Sequence, residues 1–236
     1  LTQLSTKMGH RPVKAKDTPG FIINHAGRAF GSEAYAILNE NVTPFYEIDR
    51  IYRDGIGFKM GPFELGDLTG MDVSHPVSES IYHQYYEEAR YRPSVITRQR
   101  FIAKQLGRKT GKGFYDYTSG SKVGDVAPTL VEKLDQYPSV WLGTEYSEDR
   151  QALEQYLQQF NIQIEQTEVP SANALILIAT YGEDATSAAV RYQVSPQQVV
   201  CIDLLYGLNK HRTLMPTFVT KAELVNAAQS IFNLDG

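Results

Sequence analysis

The sequence predicts a mainly α-helical domain followed by a small α/β domain built on a parallel sheet. Three observations carry this. Apolar residues recur with a 3.6-residue period through most of residues 17–117. The stretch Thr118-Ser119-Gly120-Ser121-Lys122-Val123-Gly124 is small and polar, as linkers are. Beyond it, short apolar runs alternate with helical patterns, the signature of a parallel sheet covered by helices.

Taken in order, Leu1, Leu4 and Met8 share one helical face with no capping residue ahead of them, so the chain is expected to open inside a helix of a longer polypeptide. His10 to Lys16 reads as a short strand and Asp17-Thr18-Pro19-Gly20 as a turn. The stripe Ile22, Ala26, Phe30, Ala34, Ile37 and Leu38 predicts one buried helix, on which Gly27 and Gly31 allow close approach of another backbone. Thr43 and Pro44 open a helix that stops at Asp54-Gly55. Pro62 starts a short helix, Asp72 a longer one reaching Arg90, and Ser94 one that runs to Gly107. In the second half, strands are expected at Val140 to Leu142, Ile162 to Val169, Ala174 to Ala179 and Val199 to Leu205. Helices are expected from Ser147 to Phe160, from Ala185 to Tyr192, and after a capping box at Thr220 to Glu223.

Composition narrows the function classes. A 236-residue chain with 42% hydrophobic residues can bury real cores, and a net charge of -4 makes nucleic acid a poor partner. The longest apolar run, around Ala174 to Ala179, falls far short of the roughly 20 residues a bilayer helix needs. One cysteine excludes a disulfide framework and paired-thiolate zinc sites, and it suits a reducing, cytoplasmic setting.

Two glycine-rich segments fail as phosphate cradles. Gly55 to Gly61 has the wrong spacing and follows a helix rather than a strand, while Gly107 to Gly113 places glycine where Ser or Thr would hold magnesium. The loops after the first two buried strands, containing Glu145 and then Glu183-Asp184, are acidic where a pyrophosphate would sit. Between Arg92 and Lys112 there are seven basic residues and no acidic one. Such a run suits a polyanionic small ligand such as the diphosphate of coenzyme A, although a solvated helix face is the more ordinary reading. Asn24 follows Phe21-Ile22-Ile23 at a helix start and is expected among buried neighbours, where its amide needs a partner, either nearby backbone or a substrate oxygen.

Three segments together, Asp17 to Asn24, Met60 to Asp72 and Gly107 to Tyr115, resemble the C-terminal domain of 3-hydroxyacyl-CoA dehydrogenases. The later half resembles the reduced Rossmann-type domain of long bacterial 3-hydroxybutyryl-CoA dehydrogenases of the phenylacetate-degradation type. The resemblance implies a 6-phosphogluconate dehydrogenase C-terminal-like helical fold at residues 17–117, which binds substrate and dimerises. Residues 1–16 would be the remnant of a preceding Rossmann domain, 118–136 a linker and 137–236 the reduced α/β domain. It implies oxidation of an (S)-3-hydroxyacyl-CoA by NAD, the NAD bound by a Rossmann domain that this chain lacks and that also carries the catalytic histidine and glutamate. By the match, Asn24 is the catalytic asparagine that hydrogen-bonds the reacting end of the substrate. Met60, Phe63 and Lys109 are further candidates for substrate contact, the Met60 to Leu65 segment shaping the acyl pocket and dimer contact, and no residue is a metal ligand. His25 stands where many members carry Arg. The partners implied are an acyl-CoA and a second copy of the chain, and the chain alone would be inactive. The alternative is a non-catalytic oligomerisation or scaffold module.

Overall fold

The computed structural model describes residues 1–127 and 131–235, apart from the side chain of Arg28. The chain divides into two compact units, one of Leu1–Arg53 with Phe58–Val126, the other of Asp54–Gly57 with 127–236.

The first unit is helical. After α1 (Thr2–Lys7), residues 10–16 are irregular, not a strand. Charged and polar residues there offer no apolar face for a sheet to bury. The single helix expected from residue 22 is two, α2 (Ile23–Ala26) and α3 (Arg28–Asn39), divided at Gly27. The predicted stripe splits likewise. Ala34 is fully buried, whereas Ile22, Ala26 and Phe30 are exposed. α4 (Phe45–Arg50) continues into a π-helical turn, Ile51–Ile56. α5 (Pro62–Thr69) and α6 (Met71–Gln84) follow, and α7 (Val95–Ile102) is capped by Ser94, whose Oγ accepts from the Ile96 N–H. α6 stops short of Arg90 because Tyr86 and Glu87 both adopt left-handed backbone, φ 53° and 61°, which breaks the helix with no glycine or proline as a signal. α7 ends before Gly107 because Lys104 does the same, φ 56°.

The core of this unit is aromatic. Phe63 packs on Phe114 at 4.7 Å and on Tyr35 at 5.3 Å, and Phe45 meets Tyr115 at 5.0 Å. Of the expected linker, residues 118–126 pack onto this unit, and residues 128–130 lie outside the described ones. Asp116 and Val123 exchange backbone hydrogen bonds, and Asp125 bonds Arg50 and Lys122.

The second unit is an α/β sandwich. Strands β1 (Val140–Gly143), β2 (Ile164–Glu165), β3 (Leu175–Ala179), β4 (Val199–Ile202) and β5 (Leu214–Pro216) form one sheet in the order β2-β1-β3-β4-β5. All neighbours are parallel except β4 and β5. Every residue of β3 and β4 is buried, as expected of central parallel strands covered on both faces. One face packs Leu142, Leu153, Leu157, Leu177 and Ile231 together; the other packs Ile176, Ile178, Ala188 and Cys201. Helices α8 (Ser147–Gln159), α9 (Ala185–Arg191) and α10 (Ala222–Ile231) cover it. Strand β2 is far shorter than expected, and the antiparallel edge β5 has no counterpart in the periodicity. The expected capping box is not formed, since Thr220 Oγ1 instead donates to the Val199 carbonyl and accepts from the Thr217 N–H.

Candidate functional site

The turn before α2 sets the position of Asn24. Gly20 (φ 78°) and Phe21 (φ 50°) are both left-handed, and the Asn24 N–H donates to the Gly20 carbonyl at 3.1 Å. A side chain at Gly20 would meet the Asn24 and His25 backbone at 3.0 Å in a conformation L-residues rarely adopt. The Pro-Gly of the sequence motif therefore makes the sharp entry that presents Asn24.

Asn24 lines a cavity of about 790 Å³ within the helical unit. Its walls come from α2, α3, α5, α6 and residues 89–97, and include Phe30, Met60, Val77, Tyr91 and Val95. The volume is that of a small-molecule site, and such sites are apolar with few polar groups that fix orientation. Asn24 is exposed, not enclosed by apolar neighbours. The burial penalty expected to force a local partner on its amide is thus absent. Among the described lining residues there is no histidine or cysteine, so the cavity offers no imidazole base and no thiol; its polar groups include Glu33, Arg90 and Arg92.

The other three candidates separate. Met60 lines the cavity. Phe63 does not, because it is 0% exposed at the centre of the aromatic core and has no surface to offer a ligand. Lys109 also lies outside the cavity lining and is tied to Asp72 Oδ1 at 2.8 Å. That contact holds the Asp72 carboxyl below its ordinary range. Of the basic run, the Arg100 guanidinium stacks 3.9 Å over Phe114 and donates to the Gly113 carbonyl, Arg108 lies over Tyr117, and Arg92 lines the cavity.

Two carboxylates missing from the sequence-derived candidates organise the unit beneath the cavity. Asp49, fully buried, accepts from the Phe63 and Glu64 N–H groups at 2.9 and 3.1 Å and from the Tyr115 hydroxyl at 2.8 Å. It thereby caps α5, whose own N-cap is Gly61 and has no side chain to do so. A signal for this existed in a Gly-Pro helix start that lacks a capping side chain. Burial pushes Asp49 up to about 6, against the pull of its donors. Asp67 accepts from the Phe114 and Tyr115 N–H groups, both at 2.9 Å, and from the Tyr117 hydroxyl at 3.2 Å. Burial raises its pKa as well. The Gly61-to-Gly70 and Gly107-to-Tyr117 motifs are therefore two halves of one lock. A Cβ on Gly61 would collide with Asp49, and one on Gly107 or Gly113 with Asp67.

The α/β unit does not fit a dinucleotide at its switch point, the crevice between β1 and β3. The first turn of α8 presents Glu148 and Asp149, and the latter accepts from the Tyr181 hydroxyl at 2.8 Å. Glu145 and Glu183 both pair with Arg191. A pyrophosphate would meet carboxylates where backbone N–H groups should be free. Cys201, in β4, is buried with its thiol pushed up to about 12, which makes it inert. Among the described residues no group of acidic, histidine or cysteine side chains could hold a metal, and no helix is long and apolar enough to cross a membrane.

The carboxylate lock, its obligatory glycines and the turn that presents an asparagine define a recognisable helical domain. Residues 20–117 match the family model described as 3-hydroxyacyl-CoA dehydrogenase, C-terminal domain, and belong to that family. Over 207 residues, 88% of this chain and 38% of the relative, the chain is 32% identical to a 3-hydroxyadipyl-CoA dehydrogenase of Escherichia coli K12, so this similarity continues through the α/β unit. A probable 3-hydroxybutyryl-CoA dehydrogenase of Deinococcus radiodurans is 36% identical over 117 residues, 50% of this chain and 42% of that protein. The solved 3-hydroxybutyryl-CoA dehydrogenase of Escherichia coli K12 superposes on 99% of this chain and 44% of its own, with a TM-score of 0.74 at 29% identity. The chain thus spans about two fifths of the length of these relatives.

Proposed function

We propose that this chain supplies the substrate-facing portion of an NAD-dependent 3-hydroxyacyl-CoA dehydrogenase that oxidises an (S)-3-hydroxyacyl-CoA to the 3-oxoacyl-CoA. The observation that carries this is the exposed amide of Asn24 on an apolar cavity within a domain of that family. Asn24 donates to the substrate oxygen on which charge develops, and Met60 with its apolar neighbours holds the acyl chain. NAD, when bound, accepts the hydride. The acidic crevice of the α/β unit does not suit it, so nucleotide binding and the histidine-glutamate pair belong to residues outside this chain, and the α/β unit is structural. The relatives' names point to a 3-hydroxybutyryl-CoA or 3-hydroxyadipyl-CoA substrate. The buried, single cysteine suits a cytoplasmic setting.

Reduction of 3-oxobutyryl-CoA by NADH is expected to be undetectable with residues 1–236 alone and to appear in the longer polypeptide. Turnover by this chain alone would sink the reading. In the longer polypeptide, Asn24→Ala should lower kcat by about 10²-fold with stability unchanged, as for loss of one preorganised donor. An unchanged kcat assigns Asn24 a structural role. Exposed apolar side chains on the helical unit outside the cavity lining, Phe21, Ile22, Leu68 and Ile102 among them, favour self-association of this unit into a homodimer. A monomer by light scattering at micromolar concentration counts against that, and a dimer without turnover in any polypeptide context would favour a non-catalytic oligomerisation module.

A further inference from the structure

Residues 21–27 give α2 little to hold it. It has only four residues, and of the seven, His25 alone is even half-buried. So short a helix is not stable through its own hydrogen bonds. Yet it carries Asn24, whose usefulness depends on fixed geometry.

His25 is where the segment is fastened. Its Nδ1 lies 3.0 Å from the Tyr85 hydroxyl and its Nε2 3.4 Å from the Tyr91 hydroxyl. The two phenol rings stack on each other at 4.7 Å, and the imidazole sits against both, with centroids 5.4 and 5.6 Å away. The left-handed pair Tyr86 and Glu87 folds the chain back after α6 so that Tyr85 and Tyr91 meet, and the His83 imidazole bonds Glu87 at 2.9 Å across that turn. Strained backbone of this kind persists where its surroundings require it. A neutral imidazole has one N–H and one lone pair, and a phenol can donate or accept, so both ring nitrogens are satisfied at once. Tyr91 is itself part of the cavity wall.

We infer that His25 is a positioning residue: clamped between Tyr85 and Tyr91, it fixes α2 against the 89–97 wall and so sets where the Asn24 amide points into the acyl-thioester cavity. This rests on the assignment of Asn24 and the cavity to substrate binding. Phe, which has no ring nitrogen, reproduces neither bond.

The test uses residues 1–236, with amide hydrogen exchange at residues 24–27 and titration with 3-hydroxybutyryl-CoA. His25→Phe should speed exchange at residues 24–27 at least tenfold while exchange in α5 and β3 stays unchanged. Tyr85→Phe combined with Tyr91→Phe should reproduce this, which keeps the inference testable if His25→Phe fails to fold. His25→Gln, which keeps one bond, should restore part of the protection. Thioester affinity should fall in His25→Phe to the level of Asn24→Ala, and the double variant should lose no more, since both remove the same contact. Unchanged exchange at residues 24–27, or additive losses of affinity, overturns the inference. If the unaltered chain binds no thioester, the substrate-site reading fails, while the exchange data still decide whether His25 holds α2.

Discussion

The two units solve the same packing problem with different chemistry. The α/β unit is held by aliphatic side chains on both faces of a parallel sheet, and β3 contributes five consecutive buried apolar residues. The helical unit places two carboxylates, Asp49 and Asp67, inside its aromatic core and wraps main-chain N–H groups and tyrosine hydroxyls around them. An aliphatic core tolerates exchange of similar shapes, whereas a carboxylate with three donors tolerates almost none. That is why the recognisable motifs of this chain all lie in the helical unit.

The contrast can be broken most severely at Gly113. Gly113→Ala drives a methyl into the Asp67 carboxylate and should abolish cooperative folding of the helical unit, read as loss of its transition by near-UV circular dichroism. Asp67→Ala comes next. It strands two buried N–H donors and should cost about 3–5 kcal/mol by urea denaturation. Leu177→Ala in β3 should cost about 3 kcal/mol, and only in the α/β unit, where alkylation of Cys201 reports opening independently. If it destabilised both units equally, the separation drawn here would fail.

A gentler probe is pH. Asp49 titrates near 6 in the folded chain, above its ordinary value of 3.8, so the folded state holds its proton more tightly than the unfolded one. Stability is then greatest below about pH 4 as far as this group is concerned, and is lost as pH rises through 6, by about 1–3 kcal/mol. Asp49→Asn should remove that dependence, seen as the difference between the two unfolding curves against pH. Smallest of all, Lys109→Ala breaks an exposed ion pair and should leave the urea midpoint unchanged.

What could be read from the sequence follows range of interaction. Ser94 as a cap and the apolar run of β3 depend on neighbours a few residues away, and both stand where expected. The split at Gly27 and the left-handed residues Tyr86, Glu87 and Lys104 carry no distinctive composition, so the helices through them read as longer than they are. Phe63 and Lys109 sit in motifs whose importance is real, but their partners, Phe114 and Asp72, are 51 and 37 residues away in the chain and assign them to packing and to an ion pair. Asp49 lies 66 residues from Tyr115. No periodicity encodes that meeting; only the uncapped start of α5 hints that some distant acceptor exists.

The ordered segment beyond Tyr117 bears on where this domain ends as an object that can be isolated. The family match closes at residue 117, yet the guanidinium of Arg50, 8% exposed, has Asp125 and the Val126 carbonyl among its partners, and Lys122 joins Glu64 to Asp125. A protein cut at 117 would leave that guanidinium with Glu47 alone and strip Lys122 from Glu64. One cut after Val126 would keep its counter-charges, and a protease nick at the exposed tip, Ser119 to Ser121, would leave the two pieces joined by those ion pairs.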